Sequence, residues 1–582
     1  MEEDNCYDCA INNHFKLPID FLDEKHVNNI SEITKKDLEL IEINESNNEK
    51  NQQSFYENVF NPTSECSKET LKLWSNKYTN NKQYLKNTQD YFRKISNNKP
   101  KPISNTDDIY NKWKSFVNED NFYEKYNFID YNYCKFLNKN PYFMAFFSIM
   151  SILAPIISLC SPFFVVIVPF FILKYYGVDV SLSDYYYNIV EILKNTLFYQ
   201  LFNNFSSIPL EKKIYMLGSI ALYFYQVYIN VLTCVRHHEN LSIIHDFISC
   251  LKEYLNNTKH NISIVMKNVN KFKTYNNFYR FLSKKNNSII DILSKIENIE
   301  CYQWNVQEIQ CMGSLMSNFY NLRYDINIHE TMMFSFGFNG YVENIVNITR
   351  YIDIKKINKA VFKNKQKLIM KNMYYPLIKE NVVKNNINLK KNKIITGPNA
   401  SGKTTILKTT ILNILLTQQI GYGFYDNCKI QCFDDIYCYL NIPDTSGRDS
   451  LFQAEARRCK EILTNIDENK NKNHFCIFDE LYSGTNPYEA TASSYSFLKY
   501  LSSNNNVSFL LTTHFVDLCE KLDKHKKILN CHMKTNEVNN ELQYKYRLTK
   551  GISKIRGGVE VLKKLNYPEN MIKETLDYLH NL

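Results

Sequence analysis

The sequence predicts an α/β domain at the C-terminal end of the chain, preceded by an all-α region and an apolar segment. Three observations predict this fold class. A glycine-rich loop joins a short apolar stretch, 393–396, to an apolar helical stretch, 406–420. The stretch 236–360 has helical spacing without a proline, and 140–173 lacks charged residues. A chain of 582 residues is too long for one core, so several domains are expected.

Composition limits the classes of protein to which the chain can belong. Hydrophobic residues make up 44% and charged residues 22%, which excludes a disordered or fibrous chain. The formal net charge of +10 favours polyanionic partners, namely nucleic acid, nucleotide or anionic lipid. The 16 cysteines show no disulfide pattern, and the acidic start of the chain does not resemble a signal peptide. Both features predict a cytoplasmic location.

Residues 1–139 form the first predicted domain. They are polar and rich in aromatic residues, and helical patterning extends from about Lys68 to Phe136. The composition then changes abruptly at Asn140, which marks the predicted boundary. This part of the chain is therefore expected to be helical, and its residues suggest no particular role.

Residues 140–235 are predicted as a membrane-hairpin region. The run from Asn140 to Leu173 is uncharged and exceeds the roughly 20 residues that one helix needs to cross a bilayer. Three prolines fall seven residues apart within it: Pro155, Pro162 and Pro169. We expect them to kink the run or to turn it back as a re-entrant hairpin. A lysine flanks the run on each side, which is consistent with both flanks lying on the cytosolic side.

Two alternatives remain for the apolar stretches. Membrane insertion of the first run is favoured over a buried helical core. A second uncharged stretch, 214–235, contains Gln226, Asn230 and Thr233. It is predicted either as a second span or as a buried helix, and the sequence leaves these two interpretations open.

Long amphipathic helices are predicted over 236–360, and one part of them mixes basic with aromatic residues. Basic side chains bind phosphates and aromatic rings stack on bases, so this part could be a DNA-contacting helix tip. The alternative, slightly favoured, is a solvated face on a helical hairpin whose aromatic residues belong to the core. The aromatic residues are Phe272, Tyr275, Phe278, Tyr279 and Phe281. The candidate DNA contacts are Lys267, Lys271, Lys273, Arg280, Lys284 and Lys285.

The strand predicted at Lys393–Thr396 leads into a loop with the spacing Gly-x-x-x-x-Gly-Lys-Thr, and a helix follows. This strand–loop–helix context is that of a phosphate-binding loop. Its glycines let backbone N–H groups surround phosphates, and the helix N-terminus adds a positive dipole. Lys403 would reach the β and γ phosphates and Thr404 would ligate Mg²⁺, so ATP and Mg²⁺ are the expected cofactors. The predicted nucleotide-binding residues are Gly397, Pro398, Asn399, Ala400, Ser401, Gly402, Lys403, Thr404 and Thr405.

Two later apolar strands end in residues that suit ATP hydrolysis. The strand 475–478 ends in Asp479, which suits a Mg²⁺ ligand, and Glu480, which suits the base that orients the attacking water. The strand 507–511 is followed by Thr512, Thr513 and His514, and a histidine at such an edge can contact the γ-phosphate. The candidate catalytic residues are therefore Lys403, Glu480 and His514.

Residues 370–582 resemble the ATPase domain of the MutS family of DNA mismatch-repair proteins, which belongs to the wider ABC-type ATPases. The matching segments are the phosphate loop 396–405, the segment 419–421 after its helix, the signature loop 447–452 with Glu455, the acidic segment 479–486, the switch 512–515 and the closing segment 551–569. The signature loop has one additional residue after Gly447-Arg448. The match is collinear over most of this region.

The resemblance implies roles for several residues. The family works as a head-to-tail ATPase dimer with two composite sites, so the expected partner is a second copy or a MutS-like protein. Ser450 would act in trans and face the partner's γ-phosphate. Val382 takes the place of an aromatic residue that the family packs against adenine, and Gln419 is included with the nucleotide-binding residues. The stretch 236–360 resembles the family's lever and clamp in pattern only.

The front of the chain departs from the repair proteins, which begin with a mismatch-reading domain that carries Phe-x-Glu. Two segments match this pattern formally, Phe55-Tyr56-Glu57 and Phe122-Tyr123-Glu124, and both are interpreted as chance. A membrane hairpin is also foreign to the soluble repair proteins. It is similar to membrane-associated MutS-like relatives in bacteria and large DNA viruses.

The function expected from these resemblances is that of a MutS-like ATPase, a dimer that hydrolyses ATP with Mg²⁺ and couples the cycle to binding of mismatched or structured DNA. The alternative is a membrane-tethered scaffold or latch that uses ATP without reading mismatches. An ABC transporter is disfavoured because it needs many more spans. The expected division is 1–139, 140–235, 236–360 and 361–582, with a cytoplasmic ATPase domain on a membrane-associated chain.

Overall fold

The computed structural model describes residues 10–43, 53–194, 209–297, 309–365, 367–440, 450–538, 541–555 and 558–580. Its helices are α1 (Ile11–His14), α2 (Glu32–Asp37), α3 (Phe55–Phe60), α4 (Glu65–Trp74), α5 (Lys82–Asn97), α6 (Thr106–Val117), α7 (Phe122–Lys125), α8 (Pro141–Tyr175), α9 (Leu182–Lys194), α10 (Leu210–Val269), α11 (Asn276–Ile296), α12 (Ile309–Tyr324), α13 (Ile326–Asp353), α14 (Lys403–Ile420), α15 (Leu451–Glu468), α16 (Pro487–Ser503), α17 (Val516–Leu522), α18 (Gly558–Lys564) and α19 (Glu569–His580).

The strands of the same described residues are β1 (Val27–Asn29), β2 (Lys77–Thr79), β3 (Asn358–Phe362), β4 (Ile369–Met373), β5 (Asn385–Asn388), β6 (Asn392–Thr396), β7 (Tyr422–Gly423), β8 (Asn427–Ile430), β9 (Asp435–Tyr439), β10 (His474–Asp479), β11 (Val507–Thr512), β12 (Ile528–Val538) and β13 (Glu541–Lys550). The mixed α/β architecture with a helical N-terminal region agrees with the predicted fold class.

Contacts divide the chain into two compact units. Unit 1 contains Asp108–Asn257 and Asn287–Thr331, and unit 2 contains Asp8–Asp107, Thr258–Asn286 and Met332–Leu582. These boundaries fall inside α6, α10, α11 and α13. The four-part division by composition stays a prediction.

A six-stranded sheet in unit 2 positions the site. Its strand order is β13-β12-β6-β11-β10-β9, with parallel pairing except between β12 and β13. Strands β6 and β11 are buried throughout, as expected for parallel strands covered on both faces. The register pairs Asp479 with Thr512 and Thr512 with Ile395. The carboxyl ends of β6, β10 and β11 therefore meet at one edge, where ligands bind in open α/β sheets.

A second, five-stranded sheet lies in the same unit, with the order β5-β4-β8-β3-β7. Pairs β4–β5 and β4–β8 are antiparallel, and β3–β8 is parallel. Strand β5 immediately precedes β6, so this sheet leads the chain directly into the strand that carries the phosphate loop.

The N-terminal segment packs against α14 in unit 2. The side-chain amide of Gln419 donates to the carbonyls of Trp74 and Lys77, and the Tyr56 hydroxyl donates to Gln419 Oε1 at 2.9 Å. Gly421 ends α14 with a left-handed φ of 80°, and a Cβ there would lie 2.6 Å from Gln89 Cγ. The polar N-terminal residues thus form part of the core of unit 2, which local sequence patterns did not indicate.

Unit 1 contains the apolar segment. Helix α8 is continuous from Pro141 to Tyr175 and includes all three prolines, so the expectation of a reversal within this run is wrong. Each proline removes one N–H donor and its ring crowds the preceding turn, yet the helix continues through all three positions. Residues seven apart lie within about 20° of one another around a helix, so the three prolines share one face and do not form a turn.

The first part of α10 runs antiparallel to α8. The Cys234 thiol contacts the Ile152 carbonyl, while the Tyr223 hydroxyl donates to the carbonyls of Ser158 and Leu159, further along α8. Two described helices are long and apolar enough to cross a membrane by length and composition, α8 over Pro141–Phe164 and α10. Their most apolar windows are 17% and 0% buried, so neither apolar stretch is the buried core helix considered above.

Candidate nucleotide-binding site

The phosphate loop is held in shape by glycines at two positions. Gly397 has a φ of 155° and Gly402 a φ of 91°, conformations that side chains rarely adopt. A Cβ at Gly397 would lie 2.8 Å from Ser401 Oγ, so the loop is too tight for a side chain. Gly402 begins α14 without a side-chain cap, which leaves the first N–H groups of the helix for a phosphate.

Lys403 lies in the centre of the loop. Its ammonium group donates to the carbonyls of Gly397 at 3.0 Å and Pro398 at 3.3 Å. The side chain is 6% exposed, and burial lowers the pKa of its ammonium group. A buried cation inside a ring of backbone groups is suited to a polyanionic ligand.

Thr404 and Asp479 meet beside the loop, as predicted for a Mg²⁺ site. The Thr404 hydroxyl donates to Asp479 Oδ2 at 2.7 Å, and the Thr512 hydroxyl donates to Oδ1. A hydroxyl and a carboxylate form the hard oxygen set that Mg²⁺ prefers. The residues present therefore fit a Mg²⁺ ion that is also coordinated by phosphate.

Glu480 and His514 form a pair at the same edge. His514 Nε2 lies 3.0 Å from Glu480 Oε1 and 2.9 Å from Lys403 Nζ. This nitrogen donates to Glu480 in one tautomer and accepts from Lys403 in the other. The hydrogen bond from His514 holds the pKa of the Glu480 carboxyl below its usual value. Glu480 therefore stays ionised near neutral pH, as a base for water requires.

A cleft of about 860 Å³ extends from the loop. Gly397, Pro398 and Asn399 line it together with His514 of the switch and Ser553 of the closing segment. The Ser401 hydroxyl is buried without a partner among the described residues, so the loop holds a polar group that a ligand can satisfy. Ala400 and Thr405 complete the predicted loop, and Ala400 is left-handed with a φ of 59°.

Tyr546 lies beside the loop and was missed by the sequence analysis. A Cβ at Gly402 would lie 3.2 Å from the ring of Tyr546, which belongs to β13. Asn385 fixes this part of β13, because its amide donates to the Tyr546 carbonyl and its Oδ1 accepts from the Leu548 N–H. Val382, the predicted adenine contact, is half-exposed just before β5. No local pattern marks Tyr546, since its position depends on the pairing of distant strands.

Gln419 is not part of the loop. It lies sixteen residues after Lys403 on α14, a distance of about 24 Å along the helix. Its buried side chain is occupied by Tyr56, Trp74 and Lys77. The structure therefore assigns Gln419 to the packing of the N-terminal segment.

Ser450 caps α15, and residues 447–449 of the signature loop lie outside the described residues. Ser450 Oγ accepts from the Gln453 N–H at 3.3 Å, and the hydroxyl hydrogen remains to donate. Further along α15, Glu455 is 2% exposed and accepts from the Ser483 and Gly484 N–H groups at 3.0 and 3.1 Å. Helix α15 is thus tied to the loop that follows Glu480.

The structure agrees with the favoured interpretation of the basic and aromatic stretch, a solvated face beside aromatic residues of the core. Tyr275 and Phe278 are buried in unit 2, where Tyr275 stacks on Tyr84 and Phe278 packs on Phe21. The interpretation that these rings stack on bases is therefore wrong, because they belong to the core. Among the candidate DNA contacts, Lys285 is half-buried over the Phe334 ring. The others are exposed: Lys267, Lys271, Lys273, Arg280 and Lys284.

The two Phe-x-Glu segments do not present a free wedge. Phe55 and Phe122 are each 1% exposed. Phe122 lies between the rings of Phe128 and Phe319 in unit 1. A wedge beside a mispaired base must be exposed before DNA binds, so this geometry agrees with a chance occurrence of the pattern.

Comparison with known proteins supports the C-terminal resemblance. Residues 393–582 match the family model described as MutS domain V. The chain is similar to the DNA mismatch repair protein MutS of Persephonella marina, with 26% identity over 336 residues, 56% of this chain and 37% of that protein. It is also similar to Endonuclease MutS2 of Staphylococcus epidermidis, with 28% identity over 241 residues, 40% of this chain and 30% of that protein.

A third relative is the DNA mismatch repair protein MutS of Aquifex pyrophilus, with 29% identity over 222 residues, 37% of this chain and 26% of that protein. The chain spans at most about two fifths of the length of these curated relatives. The matched region contains the phosphate loop, the acidic strand end and the switch histidine. The C-terminal third of the chain is therefore similar to domain V of the MutS proteins.

Proposed function

We propose that the chain is a MutS-like ATPase that hydrolyses ATP with Mg²⁺ as a dimer and couples this cycle to DNA binding. The observation that carries the proposal is the meeting of Lys403, the Thr404–Asp479 pair and the Glu480–His514 pair at one sheet edge. A binding loop, a pair of residues that can hold a metal ion and a base for water are the parts that phosphoryl transfer needs.

ATP and Mg²⁺ fit the residues of this edge. The N–H groups at the start of α14 and the Lys403 ammonium would hold the β and γ phosphates, and Thr404 and Asp479 would hold the metal. The bound metal would neutralise charge that develops on the phosphate oxygens. Glu480 would orient and polarise the attacking water, and His514 would fix the carboxylate of Glu480 while its ring faces the γ-phosphate.

The dimer is proposed from the resemblance, together with two features of the surface. The hydroxyl hydrogen of Ser450 remains to donate, which suits a contact with a partner's γ-phosphate. The closing segment and helix α19 expose large apolar side chains, as a surface that meets a partner does. These residues are Leu565, Tyr567, Met571, Leu576 and Tyr578.

We propose that the chain contacts the phosphate backbone of DNA and does not read mismatched bases. The exposed basic residues near the end of α10 and the start of α11 offer contacts to phosphates. Neither Phe-x-Glu segment offers an exposed wedge. The competing candidate, a membrane-tethered latch without DNA binding, is favoured by the exposed apolar faces of α8 and α10.

The test is binding of the full chain to a homoduplex and to the same duplex with one G·T mismatch, measured by anisotropy over a salt series. We expect equal affinities and a steep loss of affinity with salt. Changing Lys267, Lys271 and Lys273 together to glutamine should lower the salt slope by about 2 to 3.

The matched control changes Lys470, Lys524 and Lys526 to glutamine, because these exposed lysines lie away from that surface in sequence. The control should keep the slope. Absence of any binding at low salt would overturn the DNA coupling and favour the latch, whereas tighter binding to the mismatch would contradict backbone-only contact.

A further inference from the structure

The three prolines of α8 leave carbonyl groups without their usual helical donors. A proline at position i lacks an N–H, so the carbonyl at i−4 loses its partner, and the ring also weakens the bond to the carbonyl at i−3. In α8 the affected carbonyls are those of residues 151 and 152 at Pro155, 158 and 159 at Pro162, and 165 and 166 at Pro169. In water such groups would be hydrated, whereas in a hydrocarbon each unsatisfied one costs several kcal/mol.

A side chain from a neighbouring helix reaches each of these three places. The Tyr223 hydroxyl of α10 donates to Ser158 O at 3.2 Å and Leu159 O at 3.0 Å, the two carbonyls that Pro162 affects. The Tyr185 hydroxyl of α9 donates to Val166 O at 2.7 Å, beside Pro169. The Cys234 thiol of α10 lies 3.7 Å from Ile152 O, beside Pro155. Four of the six affected carbonyls, those of Ile152, Ser158, Leu159 and Val166, thus have a side-chain donor within the bundle.

The outward faces of the same helices are apolar. Large side chains that are at least one third exposed cover α8 from Met150 to Leu173 and α10 from Ile214 to Val235. A monomeric soluble protein rarely exposes a patch of this extent. A bundle with polar contacts to the backbone inside and apolar side chains outside has the polarity that a lipid bilayer requires.

The lengths of the two apolar helical stretches agree with the thickness of a bilayer. The first two turns of α8 are packed in protein, because Met144, Ala145 and Ser148 are buried and Gly313 of α12 lies against Ala145. The remainder of α8, 149–173, is about 37 Å long, and the uncharged part of α10, 214–235, is about 33 Å long. The hydrocarbon core is about 30 Å thick.

The ends of the apolar parts of α8 and α10 carry residues that are typical of membrane interfaces. Beyond the apolar part of α8 lie Lys174, Tyr175 and Tyr176, followed by the short helix α9 with exposed Tyr186 and Tyr187. Lysines 212 and 213 precede the apolar part of α10. Tyrosine and lysine at this level anchor a helix at the headgroups.

We propose that α8 and the 214–235 part of α10 span a lipid bilayer as an antiparallel pair, with α9 along the far interface and with Tyr185, Tyr223 and Cys234 capping the carbonyls that the prolines expose. Asn140 and Arg236 then lie on the same side of the bilayer. This proposal is independent of the ATPase assignment.

The first test reconstitutes the full chain into sealed phosphatidylcholine vesicles and separates the chains whose ATPase domain faces outward. We expect the chain to float with the vesicles in 1 M salt and after an alkaline carbonate wash. Added trypsin should leave the segment between Lys139 and Arg236 intact, and cleavage at Lys174, Lys194, Lys212 and Lys213 should begin only when detergent is added.

Three outcomes would overturn the proposal. Release by salt would show electrostatic attachment of a basic protein, and a soluble oligomer without detergent would show that a second copy covers the apolar faces. Cleavage of these four lysines in intact vesicles would show that the pair does not cross. ATP binding by the same preparation shows that the part with the phosphate loop is folded. A negative result in the membrane tests therefore leaves the ATPase assignment unaffected.

The second test addresses the capping of the prolines. Tyr223→Phe removes one hydroxyl, and amide hydrogen exchange of α8 around residues 158–166 in vesicles should become about threefold faster, the size expected for an average interhelical hydrogen bond in a membrane. Tyr225→Phe is the matched control, because Tyr225 is exposed on the same helix. Equal rates in both variants would contradict the capping role.

Discussion

Glu480 combines the chemistry of the site with a strained backbone. Its φ of 52° lies in the left-handed region, which costs a residue with a side chain roughly 1–2 kcal/mol. Such a conformation persists only where the surroundings determine it, and here the Glu480 N–H donates to the Thr512 carbonyl while the carboxylate faces His514. In this conformation the carboxylate lies beside the loop, where a base for water is needed.

Removal of His514 should change the pH profile of ATP hydrolysis. The hydrogen bond from His514 is the largest cause that lowers the pKa of Glu480, so the active carboxylate persists as the pH falls and is lost only below the usual carboxyl range. In His514→Ala this pKa rises, and the acid limb of kcat/KM moves to higher pH, on top of a lower rate. An acid limb that keeps its position would contradict the assigned contact.

Tyr546 should contribute to nucleotide affinity. Its ring lies against the loop at Gly402, whereas the residue at the expected adenine position is Val382, whose small side chain offers little stacking surface. Tyr546→Leu should weaken ATP binding by about five- to tenfold, the loss of roughly 1 kcal/mol of aromatic contact. Tyr546→Phe, which keeps the ring, is the control, because Tyr544 on the same strand packs on Tyr546. Equal effects of the two variants in a calorimetric titration would rule out the aromatic contact.

At the scale of elements, hydrogen bonds connect helix α15 to the loop after β10. Glu455 accepts three hydrogen bonds from Ser483 and Gly484 at 2.9 to 3.1 Å. A Cβ at Gly484 would lie 2.7 Å from Leu451 Cγ, so only glycine allows this approach. The helix that carries Ser450 is therefore connected to the loop that carries Glu480, and movement of one displaces the other.

Glu455→Gln should break this connection. The amide group of glutamine would meet an N–H donor at a position that is 2% exposed, which costs about 1–3 kcal/mol. We expect a lower melting temperature and a lower kcat at saturating ATP. Glu461→Gln on the exposed face of the same helix should stay within about 0.5 kcal/mol of the parent. An unchanged kcat in Glu455→Gln would show that this contact of α15 does not affect catalysis.

The elements also show where sequence patterns are limited. The loop and the strands β6, β10 and β11 were predicted because glycine spacing and apolar runs are local features. The reversal expected at Pro155, Pro162 and Pro169 did not occur. Helix α8 continues through all three prolines, and side chains of neighbouring helices donate to carbonyls beside each of them. Aromatic residues near Tyr275 were not a DNA surface, because Tyr84 and Phe21, far away in sequence, cover them.

At the scale of the whole molecule, the N-terminal segment belongs to the unit that contains the phosphate loop. Glu343 of α13 accepts from the Thr63 and Ser64 hydroxyls at 2.8 and 2.6 Å, and Gly337 faces Phe15 so closely that a Cβ would lie 2.5 Å from it. Such contacts join residues nearly 300 positions apart in the sequence. No periodicity encodes them, so composition could divide the chain into segments but could not show how they assemble.

The central claim is that Glu480 is the base of an ATPase whose binding loop contains Lys403. The most direct measurement is ATP binding and turnover of the full chain for Glu480→Gln and Lys403→Ala. Glu480→Gln should keep ATP affinity, lose at least about 100-fold in kcat, and accumulate a dimer in the presence of ATP, whereas Lys403→Ala should lose tight ATP binding. Turnover of Glu480→Gln within twofold of the parent chain would contradict the account.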